Sequence, residues 1–222
     1  MMQEYPCPGG SKAKGYLAKA AVDSAPGIVV IQEWWGLQQQ IKGICDQFAK
    51  AGFHALAPDL YGGKAVPYHD PQAAAEAMSS LDFRQATEEG VRGACQFFAS
   101  QGKKVALTGF CMGGAVTTIG ALAIPEIAAA IPFYGIAPEA MSHAQDIRVP
   151  LQGHFANDDD WISPKMVNEF EAALKKAGKT FEIYRYEAKH GFMNEERLDV
   201  FNAKAKAEAW ERTLAFLRCH LG

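Results

Sequence analysis

Short apolar runs alternate along this chain with longer stretches in which apolar residues recur every third or fourth position. The first pattern marks buried strands, the second amphipathic helices. Residues 28–31 predict a strand that ends at Gln32-Glu33. Residues 38–51 predict a helix with Ile41, Ile44, Cys45 and Phe48 on one face, stopped by Gly52. A strand over 53–57 closes at Pro58-Asp59, and a loop rich in Gly, Pro, Tyr and His follows over 60–71. Helices are predicted over 71–80 and 83–100. Further strands are predicted over 105–108, 128–134, 149–155 and 181–186. They are interleaved with helices over 112–124, 163–177 and 201–217, and Ser163 or its neighbour caps the second of these, with Pro164 in its first turn. Strands alternating with helices imply an α/β fold, with a mostly parallel central sheet and helices on both faces. No repeat, low-complexity tract or linker interrupts the pattern, so 1–222 reads as a single domain.

Charge and cysteine content narrow the picture. The net charge is −3, and no dense Lys/Arg run suggests nucleic acid as a partner. No apolar run approaches the ~20 residues that cross a bilayer, so no membrane partner is expected. The first ten residues lack the charged start and apolar middle of a signal peptide. The five cysteines, Cys7, Cys45, Cys95, Cys111 and Cys219, are odd in number and scattered, with no C-x-x-C or zinc-type pair. These features point to a reducing cytoplasm, with no metal or organic cofactor. Cys45, Cys95 and Cys219 lie among apolar residues on predicted helices and read as small core hydrophobes.

The most informative stretch is Gly109-Phe110-Cys111-Met112-Gly113-Gly114, which ends a strand and opens a helix. Its G-x-C-x-G frame is that of a nucleophile elbow with Cys in the usual Ser position. A tight strand-to-helix turn strains the nucleophile's backbone and leaves no room for side chains two residues to either side. It also puts the sulfur at a helix N-terminus, where the dipole and free N–H groups favour a thiolate. The segment lacks the Gly-Lys-Ser/Thr ending of a phosphate-binding loop and the G-x-G-x-x-G spacing of a dinucleotide site.

A nucleophilic thiol needs a base, and the base an orienting group. In a fold with this elbow the chain order is nucleophile, acid, histidine. Of the four histidines after Cys111, His143 lies in a polar connector, His154 within a strand and His220 near the C-terminus. His190 stands just after the last predicted strand and is followed by a glycine, where such a fold delivers its base. The acid is expected in the loop after the preceding strand, which holds Asp158, Asp159 and Asp160. Spacing to the helix start at Ile162-Ser163-Pro164 favours Asp159, with Asp158 as the alternative.

With these residues in hand, the chain resembles the dienelactone hydrolase family from about residue 15 to 217. The motifs that carry the resemblance are Gln32-Glu33-Trp34-Trp35-Gly36, Ala57-Pro58-Asp59-Leu60-Tyr61, the cysteine elbow, the Asp159 loop and His190-Gly191-Phe192. The resemblance implies an α/β-hydrolase fold. It places Glu33 beside the Cys111 thiol, where a carboxylate both repels a thiolate and can accept the thiol proton. It also implies an oxyanion hole made by the backbone N–H groups of Trp34 and Met112. The chain departs from the family where the substrate carboxylate is bound by arginines. No Arg occurs between Tyr61 and Phe83, where Lys64 is the only basic residue, and Asn194 stands four residues past His190. Arginine forms a planar two-point clamp that asparagine cannot copy, so dienelactone itself is not the expected substrate. Arg84, Lys189 and Arg197 are other possible anion contacts. Trp35, Tyr61, Tyr134, Trp161 and Phe192, near predicted strand ends, are candidate walls of an apolar substrate pocket.

The expected activity is hydrolysis of a small ester or lactone by a monomer or homodimer. Two other classes compete with it. A ligand-binding protein that merely kept the fold would have no need of a Cys, a His and an Asp together. A thiol redox sensor at Cys111 would be expected to show a resolving cysteine nearby in sequence, and none is visible.

Overall fold

The computed structural model describes residues 1–222, which form eight strands in one sheet with helices on both faces. β1 (Met2–Pro6) and β2 (Lys12–Ala18) precede β3 (Gly27–Ile31), helix α1 (Gln39–Lys50) and β4 (His54–Pro58). Then come α2 (Pro71–Ser79) and α3 (Phe83–Ala86), and a π-helical turn over Thr87–Val91 joins α3 to α4 (Arg92–Ala99). The rest runs β5 (Val105–Phe110), α5 (Met112–Ala123), β6 (Ile127–Phe133), the short α6 (Pro138–Ser142), β7 (Leu151–Asp158), α7 (Pro164–Lys176), β8 (Phe181–Lys189) and α8 (Ala203–Leu221). The spatial order is β1-β2-β4-β3-β5-β6-β7-β8. β1 and β2 are antiparallel to their neighbours, and the other six strands are parallel. This is the architecture of an α/β-hydrolase fold.

The period of two along each strand sorts the core into two halves. Ile28 and Val30 of β3 face α1 and α8, meeting Ile41, Phe48, Phe216 and Leu217. Val29 and Ile31 face the opposite way, toward Phe98 of α4, Val116 of α5 and Phe170 of α7. Because β3, β4 and β5 are covered on both sides, their residues are all buried, and they read as continuous apolar runs.

Four features differ from the sequence pattern. The apolar runs do not foretell β1 and β2. These strands form one edge of the sheet, with Lys12 and Lys14 exposed and Tyr5 the only buried residue of β1, so they lack an apolar run. The helix expected over 83–100 contains the π-turn, where the Thr87 hydroxyl donates back to the Phe83 carbonyl at 2.7 Å. The expected loop around Pro138 holds α6, with Pro138 in its first turn. Cys219 is exposed on α8, whereas Cys45 and Cys95 are buried as core residues. The core-facing stripe of that last turn is carried by Phe216, Leu217 and Leu221, which leaves Cys219 on the solvent face. No helix is long and apolar enough to cross a membrane.

The topology sets where chemistry can gather. From β3 the chain goes to β4 on one side, and it later returns to place β5 on the other. A crevice forms outside the carboxyl ends of strands at such a switch point. Glu33 lies two residues past β3, and Cys111, Asp159 and His190 come directly after β5, β7 and β8. Parallel strands bring all four to the same edge.

Candidate active site

The turn between β5 and α5 is as tight as its glycines imply. Cys111 adopts φ 55 and ψ −117, a conformation that costs a non-glycine residue on the order of 1–3 kcal/mol. The surrounding structure holds it there. The Cys111 N–H donates to the Phe133 carbonyl at 3.1 Å, and its carbonyl accepts from Gly114 and Ala115. A side chain at Gly109 would strike the Gly113 carbonyl, and one at Gly113 would strike the carbonyls of Ile31 and Gln32. The missing side chains thus let the first turn of α5 press against the end of β3, just before Glu33.

Asp159 and His190 meet across the edge of the sheet. Nδ1 of His190 donates to Oδ2 of Asp159 at 2.8 Å. Oδ1 of Asp159 accepts from the Trp161 and Ile162 N–H groups, each at 2.8 Å, so the carboxylate is held from both sides. Asp159 is 6% exposed, whereas Asp158 and Asp160 point into solvent. Nε2 of His190 is buried and has no partner at full hydrogen-bond geometry. Burial works against a charged imidazole here, but Asp159 and the nearby Cys111 sulfur outweigh it and raise the His190 pKa to about 10.

Glu33 is buried rather than solvated at its strand end. Its oxygens accept from the Tyr134 hydroxyl at 3.0 Å and from the Asn194 side-chain amide at 2.8 Å. It makes no hydrogen bond to Cys111. Burial raises its pKa, opposed by the Asn194 bond, by the His190 charge and by the Tyr134 bond. Tyr134, with no exposed surface, is in turn pushed well above its ordinary range, by burial first and then by Glu33.

The Trp34 and Met112 N–H groups take part in no turn, loop or cap hydrogen bond. Trp34 belongs to a turn closed by the Gly36 N–H on the Glu33 carbonyl. That turn is braced from the side: the Val66 N–H donates to the Trp35 carbonyl at 2.8 Å, and Nε2 of Gln38 donates to the carbonyls of Val66 and Trp35.

The five candidate wall residues divide. Trp161 is 61% exposed, edge-on to Trp34 at 5.5 Å and 6.5 Å from the His190 ring. Tyr61 is half-buried and its hydroxyl donates to Sδ of Met112 at 3.3 Å. Both stand at the site. Trp35, Tyr134 and Phe192 do not offer a surface to a ligand, because their rings are packed in the interior. Trp35 is covered by Trp34, Tyr68 and the Arg197 guanidinium, and Phe192 by Tyr134 and Tyr186. Their side chains instead support the loops that carry Trp34 and His190. Among the other cations considered, Arg197 is paired with Asp199, Arg84 with Glu88, and Lys189 is exposed. No three His, Cys, Asp or Glu side chains gather as a metal site.

Sequence reasoning missed the bracing role of Gln38 and the donor role of Asn194, which it noted only as a lost arginine. The available signal for Asn194 was its place in the loop that carries His190.

Comparison with known proteins gives the family. The model of the dienelactone hydrolase family matches residues 13–221. Protein usf of Aquifex pyrophilus is 35% identical, with 96% of this chain and 95% of that one aligned. A protein of Aquifex aeolicus named "putative carboxymethylenebutenolidase" is 34% identical over the same shares. The crystal structure of a "putative dienelactone hydrolase" from Klebsiella pneumoniae superposes with a TM-score of 0.86 at 27% identity, covering 97% of each chain. The chain belongs to the dienelactone hydrolase family and is a hydrolase acting on ester bonds.

Proposed function

We propose that this chain hydrolyses small esters or lactones with Cys111 as nucleophile, His190 as base and Asp159 as the group that orients the base. One observation carries the reading: the 2.8 Å Asp159–His190 pair, set beside a cysteine on a strained elbow. His190 holds the proton of the thiol as an imidazolium beside the sulfur, and the sulfur attacks the carbonyl carbon as a thiolate. The carbonyl oxygen, now negative, accepts from the Trp34 and Met112 N–H groups, which need no reorganisation to receive it. The intermediate collapses, and the leaving alkoxide takes its proton from His190. Water then gives a proton to His190 and attacks the thioester, releasing the acid and restoring the thiol.

The substrate is an uncharged ester or lactone rather than one bearing a carboxylate. The Asn194 amide is engaged by Glu33, and the Arg197 guanidinium by Asp199 and the Trp35 face. Neither side chain is left free to clamp an anion.

The test is single-turnover hydrolysis of p-nitrophenyl acetate and of a dienelactone, read with intact-protein mass spectrometry. An acyl adduct on wild type that is absent from Cys111→Ala is the expected result, with the acetate turned over faster. Equal turnover by Cys111→Ala would overturn the nucleophile assignment, and faster turnover of the dienelactone would overturn the preference for uncharged substrates.

A further inference from the structure

Next to Tyr61, residues 60–66 and helix α2 enclose a groove of about 490 Å³. That is within the range of small-molecule sites, roughly 300–1,000 Å³. Its lining is mostly apolar and includes Leu60, Val66, Ala73, Ala77 and Leu81. Ala73 and Ala77 are four residues apart, so they share one face of α2, and their short side chains keep the groove open. The charged residues of the lining, Lys64 and Glu76, are one of each sign. The groove therefore favours an apolar guest without net charge.

Two sets of contacts join this groove to the reaction centre. Tyr61 lines the groove while its hydroxyl donates to Sδ of Met112. Met112 directly follows Cys111, so this contact sets the groove wall one residue from the nucleophile. The groove wall is also tied to the turn that carries Trp34. Ala65 bridges to Gly36, and Val66 exchanges hydrogen bonds with Trp35 and Gln38.

We propose that this groove is the subsite for the hydrocarbon chain of the substrate's acyl group. The proposal rests on the ester-hydrolase reading above and adds the class of ester. The choice of acyl over alcohol follows from the sides of the site. The leaving oxygen must lie at His190, which packs against Tyr134 and Trp161. The groove meets the site through Tyr61, whose hydroxyl contacts Met112, the residue whose N–H is assigned to the oxyanion, and not through His190, so its side of the carbonyl is left to the acyl carbons. A chain seated there would also press on the turn that holds the Trp34 N–H, so chain length is expected to act on kcat as well as KM.

The test is kcat/KM along p-nitrophenyl acetate, butyrate, hexanoate and octanoate, which share one leaving group. Wild type is expected to gain about threefold per added methylene as far as hexanoate, somewhat under the value for full burial of each group. Ala77→Phe fills the groove and is expected to flatten that series, and Ala73→Leu, a smaller change, to flatten it in part; thermal melting confirms that each variant is folded. Binding of methyl ketones from acetone to octan-2-one, read by tryptophan fluorescence, probes the groove without turnover. Tightening with chain length in wild type but not in Ala77→Phe supports the proposal even if no ester is turned over, in which case the catalytic reading alone fails. A flat acyl and ketone series in wild type, an unchanged slope in both variants, or a slope that instead follows the alcohol chain of alkyl acetates would overturn it.

Discussion

Asp159 and Glu33 are both buried carboxyl groups at the same edge of the sheet, yet their surroundings differ in kind. Asp159 is met by the imidazole of His190 and by two backbone N–H groups. Its partners include an imidazole, whose pKa Asp159 and the Cys111 sulfur together raise to about 10. Glu33 is met by a phenol and an amide, neither of which carries charge, and burial raises its pKa. One carboxyl is placed to support the positive charge of a neighbour; the other is kept in a pocket that disfavours charge on itself. Proximity to the nucleophile is therefore not enough to assign a carboxyl's role, because its donors decide which protonation state it keeps.

The largest effect should come from removing the charge that faces His190. Asp159→Asn keeps the shape but cannot support the imidazolium, and kcat for p-nitrophenyl acetate is expected to fall about 10⁴-fold, as when other triad acids are neutralised. Glu33→Gln should cost far less, on the order of tenfold or about 1.4 kcal/mol of barrier. A loss as large as that of Asp159→Asn would mean that Glu33 acts as a charged group, and the contrast would collapse.

Stability sharpens the same comparison. Asn194→Leu leaves Oε2 of Glu33 buried without a donor, at an expected cost of about 1–3 kcal/mol, seen in a denaturant melt. The two ionisations then have a common sign. His190 has a raised folded-state pKa, so the stability it contributes is full below its ordinary value near 6.5 and fades as pH rises through about 10. Glu33 is a carboxyl whose folded-state pKa is raised instead of depressed, so its contribution is present in acid and is lost as pH rises through that raised value. Melting curves from pH 4 to 8 should accordingly show Glu33→Gln gaining on wild type as pH rises. The smallest effect is spectroscopic. The His190 pKa read by NMR should drop below about 10 in both Cys111→Ala and Asp159→Asn, because each removes a contact that raises it.

Much of this site could be read along the chain because its parts are locally encoded. The elbow depends on glycines within two or three residues of Cys111. Asp159 could be favoured over its neighbours because the helix start fixes which residue of the turn accepts the Trp161 and Ile162 N–H groups. The Ser163 cap and Pro164 likewise mark the start of α7 by contacts within one turn. The parts that escaped notice are those made by distant segments. Glu33 and Asn194 are 161 residues apart, and nothing near either residue announces the other. β1 and β2 escaped for a different reason: β1 is the edge strand and buries only Tyr5, and β2 beside it opens on exposed lysines, so neither leaves a long apolar run to detect.

The sequence by itself determined the order of the six parallel strands and the longer helices between them, the strained turn at Cys111 and the placing of Cys111, Asp159 and His190 each after a strand, because periodicity, glycine sterics and capping act over a few residues. Only the tertiary structure decided that Glu33 is enclosed by Tyr134 and Asn194 and that Trp35, Tyr134 and Phe192 support the site from the interior instead of lining it. It also brought residues 60–66 against the turn that carries Trp34. Burial, and the hydrogen-bond partners that burial requires, depend on which segments meet across the sheet, and that is a property of the packed chain.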